Sequence, residues 1–104
     1  MSTLYLSGPM SGMPDLNFPT FNAETARLRA LGFTVINPVE INPDPDADWL
    51  DCIAADIVRM RPADTIAFLP GWEASAGAQV EHIVARRLGM KVVMAADIVD
   101  EVAA

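Results

Sequence analysis

Cysteine, histidine and basic side chains are scarce in this sequence of 104 residues. Cys52 is the only cysteine, so an internal disulfide is excluded and a reducing cytoplasm is the expected location. With a single histidine the chain offers no cluster of soft metal ligands, and we expect neither a metal ion nor another cofactor. Seven basic residues stand against 14 acidic ones, and the net charge of −7 argues against a nucleic-acid polymer as partner.

Long apolar runs are also missing. No stretch approaches the roughly 20 residues of a membrane-spanning helix, and the N-terminus lacks the basic start of a signal peptide, so we expect no membrane partner. Apolar residues nevertheless make up 52% of the chain, which predicts one packed domain over residues 1–104. Because so short a domain buries a modest fraction of its surface, the apolar excess also favours a homodimer or a higher homo-oligomer.

Strand patterns alternate with helical ones along the chain. The predicted strands cover residues 4–7, 33–36, 65–69 and 91–94. Strands that are joined by helical crossovers form a parallel sheet with helices on both faces. The predicted fold class is therefore α/β, a flavodoxin/Rossmann-like three-layer sandwich with a four- to five-stranded parallel sheet.

Turn and capping residues mark the predicted helices. The first helix begins near Asn17, and we expect Asp15 and Asn17 to cap it rather than to contact a ligand. Asp48 is the predicted cap of the second helix, and the third runs from about Ser75 to Leu88. The proline-rich residues 37–47 predict a surface loop, and residues 97–104 predict a short helical tail.

The carboxyl ends of the predicted strands mark the expected ligand site, because ligands of parallel sheets lie beyond those ends. The first end is formed by Ser7, Gly8 and Pro9, the next by residues 37–38 and the third by residues 69–72. Trp72 of that third end has the flat apolar surface to pack on a base, although core or dimer packing explains it equally well.

Asp56 falls inside the apolar stripe of the second helix, between Ile53 and Ile57. A carboxylate there loses its hydration unless it is paired or takes part in chemistry. Pairing with an arginine or with a backbone N–H is the alternative, and spacing alone does not separate the two.

Glu81 lies in the second turn of the third helix, beside a predicted apolar stripe. That stripe contains Val80, Ile83, Val84 and Leu88. An ordinary rim glutamate is the simpler interpretation. However, the small residues that precede it, Ser75 and Gly77 among them, let a ligand lie against free N–H groups at the helix start. Two carboxylates at one pocket suit glycoside cleavage, in which one attacks the anomeric carbon and the other handles a proton.

Three segments of the chain, in order over roughly residues 4–95, resemble the nucleoside 2-deoxyribosyltransferase superfamily. Residues 5–9 resemble its opening strand and loop, and Asp56, eight residues before Asp64, resembles its helix aspartate. Residues 75–81 are similar to the loop and helix that end in the catalytic glutamate. The resemblance implies that Glu81 is a nucleophile that forms a covalent deoxyribosyl intermediate. It also implies that Asp56 assists proton transfer to the base and that Tyr5 orients Glu81.

Ser75 separates two branches of that superfamily. The transferases carry an aspartate six residues before the glutamate, whereas the 2'-deoxynucleoside 5'-monophosphate N-hydrolases carry a serine. A serine at a helix N-terminus donates to a 5'-phosphate, a role that is compatible with helix capping, whereas an aspartate repels the phosphate. Ser11 is a second candidate donor, but the first loop has no arginine, unlike the loop of the hydrolases. This departure and the early end of the chain bring it closer to a short bacterial and phage subgroup.

The expected function is hydrolysis of the N-glycosidic bond of a (2'-deoxy)nucleoside 5'-monophosphate, which gives free base and sugar phosphate. The alternatives are base exchange by a deoxyribosyltransferase and a noncatalytic nucleotide-binding or sensing module. His82 follows Glu81 directly, but adjacent helix positions point about 100° apart, so we interpret it as a surface or interface residue.

Overall fold

Four parallel strands form the centre of the protein in a computed structural model that describes residues 2–100. They are β1 (Thr3–Ser7), β2 (Thr34–Ile36), β3 (Thr65–Phe68) and β4 (Lys91–Met94). The sheet order is β2-β1-β3-β4, and every neighbouring pair is parallel. The predicted α/β class and parallel sheet are therefore confirmed, with four strands among the described residues.

Helices cover both faces of this sheet. They are α1 (Phe18–Ala30), α2 (Pro38–Ile41), α3 (Trp49–Met60) and α4 (Ala76–Arg87). α1 packs on one face, while α3 and α4 pack on the other. Because β1 leads to β2 on one side and β3 leads to β4 on the opposite side, the winding reverses between β1 and β3. A crevice forms beyond the carboxyl ends of the strands at such a switch point.

The alternation of side chains along β1 separates two apolar cores. Leu4 and Leu6 pack in the core that contains Phe21 of α1, whereas Tyr5 packs in the core beneath α3 and α4. Successive side chains of a strand point to opposite faces, so Ser7 shares the face of Tyr5. The Tyr5 and Ser7 side chains therefore both point toward α4.

Side-chain caps begin three of the helices. Asn37 Oδ1 accepts from the Val39 N–H of α2, Asp48 Oδ2 from the Asp51 N–H of α3, and Ser75 Oγ from the Ala78 N–H of α4. Each bond satisfies a backbone donor that the helix itself leaves free. The helix starts predicted at Asp48 and Ser75 are confirmed.

The prediction of a surface loop over residues 37–47 is wrong for the first residues of that range. Asn37 provides a cap and Pro38 occupies the first helical position, where its missing N–H costs nothing, so residues 38–41 close a helical turn. The short tail is also not a continuous helix, since Ala95–Asp97 form a 3₁₀ turn and residues 98–100 leave it. Residues 101–104 of that prediction lie outside the described residues.

The predicted side-chain capping of α1 is wrong as well. Asp15 and Asn17 both have positive φ angles, 51° and 61°, and the Asn17 side chain makes no capping bond although it precedes α1. Its amide Nδ2 donates instead to the Pro9 carbonyl oxygen at 3.0 Å. Between residues 2 and 100, none of the helices has both the length and the apolar composition needed to cross a membrane.

Candidate active site

A cavity of about 480 Å³ lies at the switch point between β1 and β3. Its walls come from the loop after β1, from the middle of α3 and from the first turns of α4. This volume falls in the range of small-molecule sites. The cavity, hereafter the main cavity, occupies the position that the strand order predicts for a ligand.

Glu81 lies at the inner end of the main cavity and is 4% exposed. Ser7 Oγ donates a hydrogen bond to Glu81 Oε1 at 2.7 Å, and the Tyr5 hydroxyl donates to Oε2 at 2.9 Å. The two donors stand two residues apart on β1 and therefore share the face toward α4. Each carboxylate oxygen is thus held by one hydroxyl group, which fixes the orientation of the side chain.

The buried stripe of α4 differs from the predicted one. Ala78, Glu81 and Ala85 face the sheet, whereas Ile83 is 63% exposed and Leu88 is 52% exposed. Small residues at positions 78 and 85 let the helix approach the sheet closely, and the glutamate between them is carried inward. The interpretation of Glu81 as a rim residue is therefore wrong, because packing by small residues outweighed the larger apolar side chains.

Asp56 of α3 also lines the main cavity and is 6% exposed. Its Oδ1 is buried and has no hydrogen-bond partner among the described residues. The predicted position on the buried face of the helix is confirmed, since Ile53 and Met60 are buried with it. Among the described residues, no arginine or backbone N–H donates to that oxygen. Pairing with such a group, the alternative explanation for a buried Asp56, is therefore not observed at Oδ1.

Burial raises the pKa of both carboxyl groups. The pKa of Glu81 rises from 4.5 to about 8 through loss of hydration and the nearby charge of Asp56, against the opposing hydrogen bonds from Ser7 and Tyr5. The pKa of Asp56 rises from 3.8 to about 6, again through burial and against opposing hydrogen bonds from Glu81 and Tyr5. Burial also raises the pKa of Tyr5 above its usual value of 10.0, so its hydroxyl remains a donor. Near neutral pH the two carboxyl groups therefore share one proton.

Hydrogen bonding opposes the effect of burial at both carboxyl groups. Bonds donated to a carboxylate favour its charged form, and Glu81 accepts one at each oxygen. Asp56 Oδ1 accepts none, but hydrogen bonds from Glu81 and Tyr5 lower the pKa of the Asp56 carboxyl group as a whole. Near neutral pH one carboxyl group of the pair is charged and the other is neutral, and a pair in these two states can supply a nucleophile and a proton donor.

The start of α4 forms one side of the main cavity. Ser75, the helix cap, and Gly77 both line it, and the first N–H groups of a helix have no partner within the helix. A Cβ atom at Gly77 would lie 3.0 Å from Ile53 Cδ1, so a glycine here keeps α3 and α4 close. An anionic group can bind at this helix start. No lysine or arginine is among the residues that line the cavity.

The loop after β1 closes the opposite side through Gly8, Pro9 and Ser11. A Cβ atom at Gly8 would lie 2.7 Å from Leu69 Cβ, so the loop passes β3 at a distance that only glycine allows. The Asn17 amide holds the Pro9 carbonyl and so positions the same loop. Sequence reasoning missed this role of Asn17, because no local pattern shows that its backbone is left-handed.

The aromatic residues are placed differently from the prediction. Trp72 does not line the main cavity; it stacks on Phe68 with ring centroids 4.0 Å apart, and His82 packs edge-on against both rings. Trp49, at the start of α3, lines the cavity instead. Sequence reasoning missed Trp49, because an apolar residue at the start of a helix is equally compatible with a place in the core.

The site thus brings Tyr5, Ser7, Asp56 and Glu81 together from three separate elements. Among residues 2–100, no group of three or more acidic, cysteine or histidine side chains is placed to hold a metal ion. Two buried carboxyl groups in a largely apolar cavity can offer nucleophilic attack by one and proton transfer by the other.

Comparison with protein-family models matches residues 2–94 to DUF4406, a domain of unknown function. The match covers most of the sequence, and the chain belongs to this family. No curated protein matches the chain.

Proposed function

We propose that the protein hydrolyses the N-glycosidic bond of a (2'-deoxy)nucleoside 5'-monophosphate, with Glu81 as the nucleophile. One observation carries the proposal: a buried carboxylate, fixed by Ser7 and Tyr5, lies beside a second buried carboxyl group with an unpaired oxygen in one cavity. A purely structural glutamate has no need of such an arrangement, because burial without a basic partner is costly.

In the first step, a Glu81 oxygen bonds to C1′ of the sugar while the bond from C1′ to the base nitrogen breaks. The electron pair of the broken bond goes to the base, which takes the proton of Asp56. In the second step, the oxygen of a water molecule bonds to C1′ and displaces Glu81, and the proton of that water returns to Asp56. Both side chains regain their starting states, and the products are free base and sugar phosphate.

The start of α4 is the proposed phosphate site. The hydroxyls of Ser75 and Ser11 and the N–H groups of Ala76 and Gly77 are donors at or beside the main cavity. They hold a phosphate without a basic side chain, in keeping with the acidic chain as a whole.

The lack of lysine and arginine in the cavity lining also favours a second candidate, the same cleavage on an unphosphorylated nucleoside. In that case a second base can take the place of water and complete a deoxyribosyl transfer. The two candidates share Glu81 and Asp56 and differ only in what binds near Ser75 and in what resolves the intermediate.

The test measures base release from a panel of nucleosides and their 5'-monophosphates by chromatography, with and without an acceptor base. Release without acceptor supports hydrolysis, and release only with acceptor supports transfer. We expect Glu81→Ala to lower release by roughly 10³-fold or more. Glu73→Gln, a change at an exposed glutamate outside the cavity lining, should leave release unchanged. Nucleotide binding without base release would contradict the proposal and leave a noncatalytic binding module.

A covalent intermediate offers a second readout. The intact mass of acid-quenched protein should increase by one sugar phosphate in the wild type and stay unchanged in Glu81→Gln.

The cytoplasmic location that the single cysteine favours belongs to the same proposal, since nucleotide pools of this kind lie inside the cell.

A further inference from the structure

Ser7 is the last residue of β1, and the neighbouring strand holds its backbone in place. It pairs with Phe68 of β3, and its carbonyl oxygen accepts from the Leu69 N–H at 2.8 Å. The side chain is completely buried, and its Oγ lies 2.7 Å from Glu81 Oε1. Because the sheet fixes the backbone, the hydroxyl is a donor at a set position relative to the carboxylate of α4.

Ser7 does not line the main cavity, although the next residue of the chain, Gly8, does. Glu81 lines the cavity and accepts the hydrogen bond from Ser7. The Ser7 hydroxyl therefore lies behind the carboxylate as seen from the cavity. It can influence a bound ligand only through Glu81.

Tyr5 and Ser7 differ in the carboxyl group that they affect. Hydrogen bonding with Tyr5 lowers the pKa of Asp56 as well as that of Glu81, so Tyr5 favours the charged form of both. A serine hydroxyl has one proton to donate, and Ser7 donates it to Glu81. Burial raises the pKa of Glu81, and the Ser7 hydrogen bond is the strongest influence that lowers it. A donor to one member of a pair that shares a proton favours the proton on the other member.

The titratable groups around Glu81 come from three elements. Tyr5 lies on β1, and both Asp56 and Cys52 lie on α3. Burial raises the pKa of the Tyr5 hydroxyl and that of the Cys52 thiol, so both stay neutral near pH of about 7. His82 of α4 packs against the aromatic pair described above, and no lysine or arginine of the described residues lines the cavity. The shared proton is therefore divided between Glu81 and Asp56.

We propose that Ser7 is a positioning residue that places the shared proton on Asp56, because its hydroxyl holds Glu81 Oε1 from behind the cavity and favours the charged form of Glu81. This inference rests on the proposed function, in that a charged Glu81 is the nucleophile and a neutral Asp56 is the proton donor. Without the Ser7 hydroxyl, the proton passes from Asp56 to Glu81. The pair keeps the same total charge, but the nucleophile is then neutral and the proton donor is lost.

The kinetic test compares Ser7→Ala with the wild type on a nucleotide that the wild type cleaves. Loss of a hydrogen bond to a charged group corresponds to about 10- to 100-fold, so kcat should fall by that factor. KM should stay within about twofold of the wild-type value, because Ser7 does not line the cavity. The alkaline limb of the pH profile should move from about 8 to a pH about one to two units higher. The acidic limb near a pH of about 6 should stay in place, since Ser7 donates to Glu81 and not to Asp56.

Thr25→Val is the matched control for the loss of a buried hydroxyl group. Thr25 is buried on α1, which packs on the opposite face of the sheet. Its Oγ1 has no hydrogen-bond partner among the described residues. We expect kcat, KM and the pH profile of this variant to stay at the wild-type values.

Carbon-13 NMR of labelled glutamate carboxyl carbons measures the charge on Glu81 without any substrate. The Glu81 signal is the one that Glu81→Gln removes. Its alkaline midpoint should lie near a pH of about 8 in the wild type and about one to two pH units higher in Ser7→Ala. Ser7→Cys keeps a weaker donor at the same position and should give a midpoint between the two.

If the wild type releases no base, the proposed function fails, whereas a higher midpoint in Ser7→Ala would still support the effect of Ser7 on the proton. If the wild type releases base and Ser7→Ala keeps the wild-type midpoint, the inference is overturned and the function stands. A loss of kcat/KM that comes from a higher KM alone also overturns it, because Ser7 would then act on substrate binding. Should Ser7→Ala fail to fold, Ser7→Cys decides by the same measurements.

Discussion

Glu81→Gln is expected to stabilise the fold increasingly as the pH rises. In the folded protein the pKa of Glu81 is raised from 4.5 to about 8, mainly by burial. Between these values the folded state holds a proton that the unfolded chain has lost. The stability linked to this group is therefore fully present below about 4.5 and is lost as the pH rises through about 8.

The size of the effect follows from the difference between the two pKa values. The difference between 4.5 and about 8 corresponds to about 5 kcal/mol, at about 1.4 kcal/mol for each pH unit. Because Asp56 shares the proton and part of the free-energy cost of burying the charge, we expect a stability difference of about 2–5 kcal/mol. Glutamine keeps the shape of the side chain, and its amide can pair with the Ser7 and Tyr5 hydroxyls, which both donate and accept.

The assay is urea unfolding at several pH values between about 5 and 9. Unfolding is monitored through the fluorescence of Trp49 and Trp72. The matched control is Glu73→Gln, which removes one formal charge from an exposed position. General repulsion in a chain of net charge −7 affects both variants alike, so their difference isolates the buried group.

The free energy of unfolding of Glu81→Gln, relative to wild type, should grow by about 2–5 kcal/mol from the acidic to the alkaline end of this range. That of Glu73→Gln should stay within about 0.5 kcal/mol. Parallel curves for Glu81→Gln and wild type would refute the reasoning, because they would mean that Glu81 ionises alike in the folded and unfolded chains.

The active form is the one in which Asp56 and Glu81 share one proton, so kcat/KM should rise near a pH of about 6 and fall near about 8. A flat pH profile across these values would argue against the carboxyl pair. Tyr5→Phe removes the donor to Glu81 Oε2 and should lower kcat/KM by about 10- to 100-fold, and wild-type activity would exclude an orienting role. Gly8→Ala places a Cβ atom 2.7 Å from Leu69 Cβ and should lower the free energy of unfolding in urea by about 1–3 kcal/mol, whereas unchanged stability would mean that the loop shifts freely. Leu50 and Val58 of α3 are 65% and 71% exposed, so we propose that they contribute to a homodimer; Val58→Glu should then give monomers in light scattering, and a monomeric wild type would contradict this.

Local chemistry explains why much of the fold could be predicted. A strand followed by a turn, a side-chain cap and a helix is a local pattern, so the parallel strands and the starts of α3 and α4 were recognised from the sequence. The exceptions lie where a local signal is weak. One is the turn of α2, which depends on the Asn37 cap and on Pro38 at the first helical position. Another is Asn17, whose left-handed backbone lets its amide hold Pro9 instead of capping α1.

By itself the sequence determined the parallel α/β architecture and the inward position of Asp56, because both follow from the periodicity of apolar residues. The resemblance to the deoxyribosyltransferases implied that Tyr5 lies beside Glu81, and the structure places a hydrogen bond there. Only the tertiary structure decided the burial of Glu81, the two donors on its oxygens and the unpaired oxygen of Asp56. These depend on how closely α3 and α4 approach β1, a distance set by side-chain volumes from segments far apart in the chain, which no single stretch of sequence records.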